Sequence, residues 1–347
     1  MLKPITYQHA RGECKIIFNP FSLFVHQLPQ NSVFIVDKNV YQLYLNIFNK
    51  IKKPIYIYQA SEKRKTLKSL EYIFNFFYDN AVDRGFTIAV VGGGITCDIG
   101  AMAASLWKRG CKLVLVPTTL LAMIDAAIGG KTAINFHSIK NSVGTFYHAD
   151  KIWIDTKFLN TLPIEIYTEG IPEIIKHALS LNKNLLEQLI KINADSFGYL
   201  KNISDDIIYE NIITKLSIVT SDPEEKNIRK ILNVGHTVGH AFELSYGLPH
   251  GIAVANGILV ELETFNLLGY IDDPSVLTIS KTLLKPFISN KIKKEIEPLL
   301  PFLLQDKKRN MDEISIPIVK SIGNTIIQNI QITDFTKALQ EVLLNER

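Results

Sequence analysis

The chain holds only three cysteines, Cys14, Cys97 and Cys111, and no two of them stand at metal-ligand spacing. So sparse and odd a set points to reduced thiols in a cytoplasmic protein. No apolar run reaches the ~18 residues of a membrane span. The opening Met-Leu-Lys-Pro-Ile-Thr lacks the charged-then-apolar order of a signal peptide. A formal net charge of +4 over 347 residues is too small to imply nucleic acid, and the lysines are dispersed. There is no internal repeat and no low-complexity linker. What remains is a globular composition, 47% hydrophobic and 21% charged, in a chain long enough for two domains.

The first half alternates strand-like and helical stretches. Short apolar runs at residues 32–36, 55–58, 87–91 and 112–116 end at polar or glycine-bearing turns. Helical patterns at 67–80 and 98–108 lie between them. This alternation predicts a Rossmann-like α/β domain with a parallel sheet and helices on both faces. Ligands of such sheets gather at the carboxyl ends of the strands, where Asp37 and Gly92-Gly-Gly94 stand. The glycines would let backbone amides approach an anion, although the spacing is not that of a dinucleotide G-x-G-x-x-G motif. Asp98 could cap the following helix or contact a ribose hydroxyl. The second half is predicted to be mostly α-helical, with helices over 207–219, 232–246 and 251–268 and a strand-like run at 313–319. Pro172 fits the first turn of a helix carrying Glu173, Lys176 and His177. The domains are set at 1–165 and 166–347, with the site expected in the cleft between them.

Three of the eight histidines, His236, His240 and His250, crowd into one glycine-bearing stretch. His236 and His240 are spaced to share one helix face. With an upstream carboxylate they could hold a zinc-like ion with one position open. Alternatively they are helix-packing histidines, with Gly235 and Gly239 allowing close approach.

The order and spacing of many segments carry a resemblance. They are Ser61-Glu-Lys-Arg-Lys65, Gly92-Gly-Gly-Ile-Thr-Cys-Asp98, Lys108-Arg-Gly110, Pro117-Thr-Thr-Leu-Leu121, Asp125 with Gly129-Gly-Lys131, Lys140-Asn141, Gly170-Ile-Pro-Glu-Ile-Ile-Lys176, Leu232-Asn-Val-Gly-His-Thr-Val-Gly-His240 and His250-Gly251. Together the sequence resembles the 3-dehydroquinate synthases, from about Asp37 to about Lys308.

The resemblance implies a dehydroquinate synthase-like fold and an NAD- and divalent-metal-dependent carbon–oxygen lyase. Its substrate would be 3-deoxy-D-arabino-heptulosonate 7-phosphate, converted to 3-dehydroquinate and phosphate in the shikimate pathway. The steps are transient oxidation by NAD, phosphate elimination, re-reduction, ring opening and intramolecular aldol closure. The resemblance assigns the metal, zinc or cobalt, to Glu173, His236 and His250. It leaves His240 to the chemistry, with Lys131, Lys176, Lys215, Arg229 and Asn233. It places NAD near Asp37, Asn39, Glu62, Lys65, Gly93, Gly94, Asp98, Thr118, Thr119, Phe158 and Thr161. The substrate's phosphate and carboxylate fall to Arg109, Asp125, Lys131, Lys140, Asn141, Lys176, Lys215, Glu225, Arg229, Asn233, His240 and one of Lys307 or Lys308. A homodimer is implied, with neither nucleic acid nor membrane as partner. Departures from the family pattern include Cys97 in place of a usual glycine, Ala101-Met102, Asp125-Ala-Ala127 and the proline of Asp222-Pro-Glu-Glu225. The alternatives are another sugar-phosphate cyclase, a metal-dependent polyol dehydrogenase of related fold, or a non-catalytic metal-binding descendant.

Overall fold

The computed structural model describes residues 2–137, 139–193, 198, 202–303 and 312–345. The chain divides into two compact units, 1–167 and 168–347.

In the first unit the described strands are β1 (Ile5–His9), β2 (Gly12–Phe18), β3 (Ser32–Asp37), β4 (Ile55–Tyr58), β5 (Thr87–Gly92), β6 (Lys112–Pro117), β7 (Lys131–Phe136), β8 (Ile139–Phe146) and β9 (Lys151–Ile154). Seven of them form one sheet in the order β1-β2-β9-β6-β5-β3-β4. Every pairing in it is parallel except β1 with β2. Every residue of β3 and β5 is buried, as a strand covered on both faces must be. That burial is why both read as unbroken apolar runs. Helices Leu67–Asp79 and Gly94–Leu106 follow β4 and β5. The second of these starts at Gly94, four residues before the predicted Asp98. β3, β5 and β6 are immediate neighbours in parallel register, with Val36 opposite Val91 and Gly92 opposite Pro117. Their carboxyl ends therefore bring Asp37, the glycines and Thr118-Thr119 to one edge of the sheet.

β7 and β8 form a separate antiparallel hairpin. Its outer strand is almost wholly exposed or half-buried, so it shows no apolar signature in the sequence.

The second unit is mainly helical. Helices His236–Tyr246, His250–Leu267 and Ile332–Asn345 enclose a core that includes Val238, Phe242, Val260, Phe265 and Leu339, while Ile171–Leu181 packs on the His250 helix and Asp205–Val219 packs on Ile171–Leu181. The hairpin of β10 (Glu313–Ser321) and β11 (Asn324–Gln331) adds Ile316 and Ile318 to it. The helix predicted from residue 232 begins at His236 instead. A 3-10 turn occupies Ile228–Asn233, and Gly235 then takes a left-handed conformation at φ 76°. Only glycine adopts that backbone without penalty, so the chain changes direction there and restarts as a helix.

The His236 and His250 helices cross almost backbone to backbone. A Cβ on Gly257 would lie 2.1 Å from the Gly235 carbonyl oxygen and 2.6 Å from the Gly239 nitrogen. Backbone cannot yield as a side chain can. Gly257→Ala is therefore expected to destabilise the protein by about 1–3 kcal/mol, read as a lower urea midpoint at unchanged slope. An unchanged midpoint would show that the crossing tolerates the methyl group.

Candidate functional site

In the second unit each of three helices delivers one side chain from its first turn. Glu173 stands in the first turn of Ile171–Leu181, with Pro172 also there. His236 and His250 are the first residues of their own helices. Glu173 Oε1 lies 3.3 Å from His236 Nε2 and 3.3 Å from His250 Nε2. The donor atoms of the three all lie within 4.8 Å of one another. The remaining ring nitrogens are engaged behind: His236 Nδ1 is 3.1 Å from the Val234 carbonyl, and His250 Nδ1 is 3.3 Å from Glu243 Oε2. Such outer contacts fix the ring and direct Nε2 inward, as around a metal.

The electrostatics agree with this donor set. Burial alone would raise Glu173, but the Lys176 ammonium and His236 hold its carboxyl well below the ordinary range. Lys176 Nζ is ion-paired with Glu173 Oε2. Burial opposes charge on His250, yet hydrogen bonds to Glu173 and Glu243 raise it to about 10. A proton thus collects between imidazole and carboxylate. Two imidazoles and one carboxylate around that point are ligands of the type and number that an open zinc-like site uses.

His240 is more open to solvent than the trio. Its ring meets His236 edge-on, with centroids 5.1 Å apart. Its nitrogen belongs with Glu243 and His250 in a second possible grouping, and not with Glu173. Partial desolvation, then repulsion from His236 and His250, lowers its proton affinity.

Lys215 and Arg229 are also buried in this unit. The Asp222 carboxylate accepts hydrogen bonds from the backbone nitrogens of Lys226, Asn227 and Arg229 at 3.0, 2.7 and 3.0 Å. That knot folds the loop around Pro223 and anchors Arg229. Asn233 donates to Glu225 Oε1 at 2.8 Å, joining two further predicted residues. Lys307 and Lys308 lie outside the described residues.

In the first unit, Asp37 Oδ1 accepts from the Asn39 and Val40 nitrogens, capping the helix after β3. Gly93 precedes a helix with no side-chain cap, leaving first-turn amides for an anion. A Cβ on Gly93 would meet the Thr119 methyl at 3.0 Å, so the loop packs closely on the end of β6. Cys97 lies beneath this loop, its Sγ 3.6 Å from the Gly92 carbonyl. The thiol is buried and pushed up by desolvation, a packed side chain and not a reactive one. Asp98 does not cap the helix. Its carboxylate meets Lys65 Nζ at 2.5 Å. Lys65 also bonds the Asn141 side-chain oxygen. Glu62 Oε1 accepts from Asn135 at 2.8 Å. The hairpin that carries Lys131, Lys140 and Asn141 is thereby tied to the 61–65 segment. Phe158 packs on Phe21 and Tyr44 in an aromatic cluster, and the Thr161 hydroxyl lies 3.1 Å from that of Tyr44. Arg109 is exposed, with left-handed backbone at φ 64° directly after Lys108 at φ 50°. Such consecutive non-glycine residues persist only where their surroundings impose them. Asp125 sits in the short helical turn Ala122–Ala126 after Thr118-Thr119.

Sequence reasoning missed Glu243, Glu169 and Glu261, the carboxylates beside these helix starts. Glu243 had a signal, since it follows His240 by three residues and can share a helix face with it. Glu169 and Glu261 had none at the level of spacing.

Sheet order, strand-end glycine loop and helical second unit define a fold class shared with solved synthases of cyclic sugar products and, at lower similarity, with solved glycerol dehydrogenases. A solved 2-deoxy-scyllo-inosose synthase, complexed with carbaglucose-6-phosphate, NAD+ and Co2+, matches with a TM-score of 0.84 at 24% identity, covering 98% of this chain and 99% of that one. Family models resolve the class further: 3-dehydroquinate synthase N-terminal matches residues 55–169, and 3-dehydroquinate synthase C-terminal matches 170–309. The 3-dehydroquinate synthase of Pyrobaculum aerophilum is 32% identical over 345 residues, 97% of each chain. That of Saccharolobus solfataricus is 37% identical over 300 residues, 82% of this chain and 84% of its own. The chain belongs to the 3-dehydroquinate synthase family. Among the described residues no helix is long and apolar enough to cross a membrane.

Proposed function

We propose that this chain converts 3-deoxy-D-arabino-heptulosonate 7-phosphate to 3-dehydroquinate and phosphate, as an NAD- and metal-dependent lyase. The observation that carries the reading is the match to both family models over residues 55–309, with a 3-dehydroquinate synthase aligning along 97% of the chain. The convergence of Glu173, His236 and His250 supports the metal, and the open helix start at Gly93-Gly94 supports a nucleotide pyrophosphate.

In this reading Glu173, His236 and His250 hold a zinc or cobalt ion. Asp37, Asn39, Glu62, Lys65, Gly93, Gly94, Asp98, Thr118, Thr119, Phe158 and Thr161 form the NAD site. When bound, NAD accepts and returns a hydride, and the ion polarises substrate oxygens. The protein's own task is to fix a doubly anionic sugar acid. Arg109, Lys131, Lys140 and Asn141 of the first unit take part, with Lys176, Lys215, Arg229 and Asn233 of the second. Arginine forks suit carboxylate and phosphate, and lysines supply compact charge. Arg229 is held by its backbone bond to Asp222 and its guanidinium by the Pro223 carbonyl, so little freedom is lost on binding. Lys176 beside Glu173 keeps that carboxylate ionised and ready for a cation.

Because the hydride leaves and returns within one turnover, NAD is a catalyst here. With metal, the heptulosonate phosphate and limiting NAD+, phosphate release is expected to exceed the NAD+ supplied by many turnovers. Product identity should be 3-dehydroquinate, with no lasting NADH absorbance. One NADH per product would instead assign the chain to the polyol dehydrogenases. A carbocycle other than 3-dehydroquinate would assign it to another cyclase.

A further inference from the structure

The three proposed metal ligands sit where a cation should be least welcome. The Glu173, His236 and His250 helices all present their N-terminal ends, and none has a side-chain cap from its own N-cap residue. Each end carries roughly half a positive charge with unsatisfied amides. Two carboxylates from elsewhere in the fold answer this. Glu261, 1% exposed, reaches back from the fourth turn of the His250 helix. Its Oε2 accepts from Gly235 N at 2.8 Å and its Oε1 from Val238 N at 2.9 Å. The Thr237 amide bonds it as well. Burial pushes the Glu261 carboxyl up to about 7, and the three amide bonds oppose that by favouring its ionised form. Glu169 Oε2 accepts from Gly251 N at 2.8 Å, directly after His250. A Cβ on Gly251 would stand 2.5 Å from the Glu169 carbonyl oxygen, so the two segments are in tight contact.

We propose that Glu261 and Glu169 are positioning residues of the metal centre, capping the His236 and His250 helices from outside and offsetting their positive ends. The inference rests on the metal reading above. Glu261 grips the backbone on both sides of His236, so it sets where the imidazole starts. The close crossing at Gly235, Gly239 and Gly257 brings Glu261 within reach. Burial raises both carboxyls, and a divalent ion held by the neighbouring ligands would favour their ionised forms in return. Neither belongs to a candidate metal-binding group, so both are assigned a positioning and not a catalytic role.

The test uses the full-length protein stripped of metal and titrated with Co2+ against a competing chelator. Glu261→Gln and Glu169→Gln keep size and remove charge. Each is expected to weaken Co2+ by about 10–100-fold and to alter the visible absorption of the bound ion. Ser204→Ala serves as control, because Ser204 caps the Asp205–Val219 helix of the same unit through Ile207 N. It should lower the thermal midpoint of the metal-free protein yet leave Co2+ affinity unchanged. If the glutamine variants lose only stability, and bind Co2+ within twofold of the parent, they are plain helix caps and the proposal fails. Should Glu261→Gln not fold, Glu169→Gln decides by the same readout. A parent that takes up no Co2+ overturns the metal reading itself, and this inference with it.

Discussion

His236→Ala is expected to leave a folded protein that holds no stoichiometric metal and has lost nearly all turnover. The fold should survive for a definite reason. His236 is only partly buried, and the Glu173 carboxylate keeps its Lys176 partner and its contact with His250. No buried charge is therefore stranded, which is the usual cause of a collapse worth about 3–5 kcal/mol. The metal has no such reserve, because one imidazole and one carboxylate remain from three donors. Loss of several kcal/mol of charge stabilisation at the reacting oxygens corresponds to roughly three or more decades in rate. Metal analysis of the purified variant, with circular dichroism and phosphate release, checks all three parts. Full metal content with normal helicity would remove His236 from the ligand set.

The legible parts of the fold are those whose burial leaves a mark on composition. β3, β5 and β6 are covered on both faces and appear as unbroken apolar runs ending at Asp37, Gly92 and Pro117. β8 faces outward along most of its length, so nothing in Ile139–Phe146 signals a strand. The residues Lys140 and Asn141 could be found there only through family resemblance. Apolar spacing runs on through Leu232 and Val234, so it places the start of the His236 helix four residues early. Gly235 at φ 76° breaks the helix where hydrophobic pattern does not. Spacing alone paired His236 with His240. His250 comes beside His236 through a tertiary crossing at Gly257, a contact between helices that no single periodicity encodes. Glu169 and Glu261 were invisible for the same reason: each caps a helix it does not belong to.

His240→Ala separates the two divisions of labour that spacing left open. The imidazole stands next to the trio but outside it, exposed, with its ring centroid 5.1 Å from His236 and 6.4 Å from His250. His250 directs Nε2 at Glu173 and Nδ1 at Glu243, so Nε2 is the nitrogen that would serve a metal held together with Glu173. The alternative grouping joins His240 and His250 to Glu243 in place of Glu173 and His236. An exposed imidazole beside a metal can hydrogen-bond a reacting substrate or carry its proton, and desolvation with flanking histidines biases this one toward the neutral, proton-accepting form. His240→Ala is therefore expected to retain its metal and its NAD affinity while losing roughly two to four decades in kcat, the range for an acid–base group. Metal content, NAD titration and single-turnover phosphate release on one preparation decide the matter. A metal-free variant would make His240 a ligand and move the ion to the Glu243 side. A variant with full metal and full rate would leave His240 with no part in the chemistry.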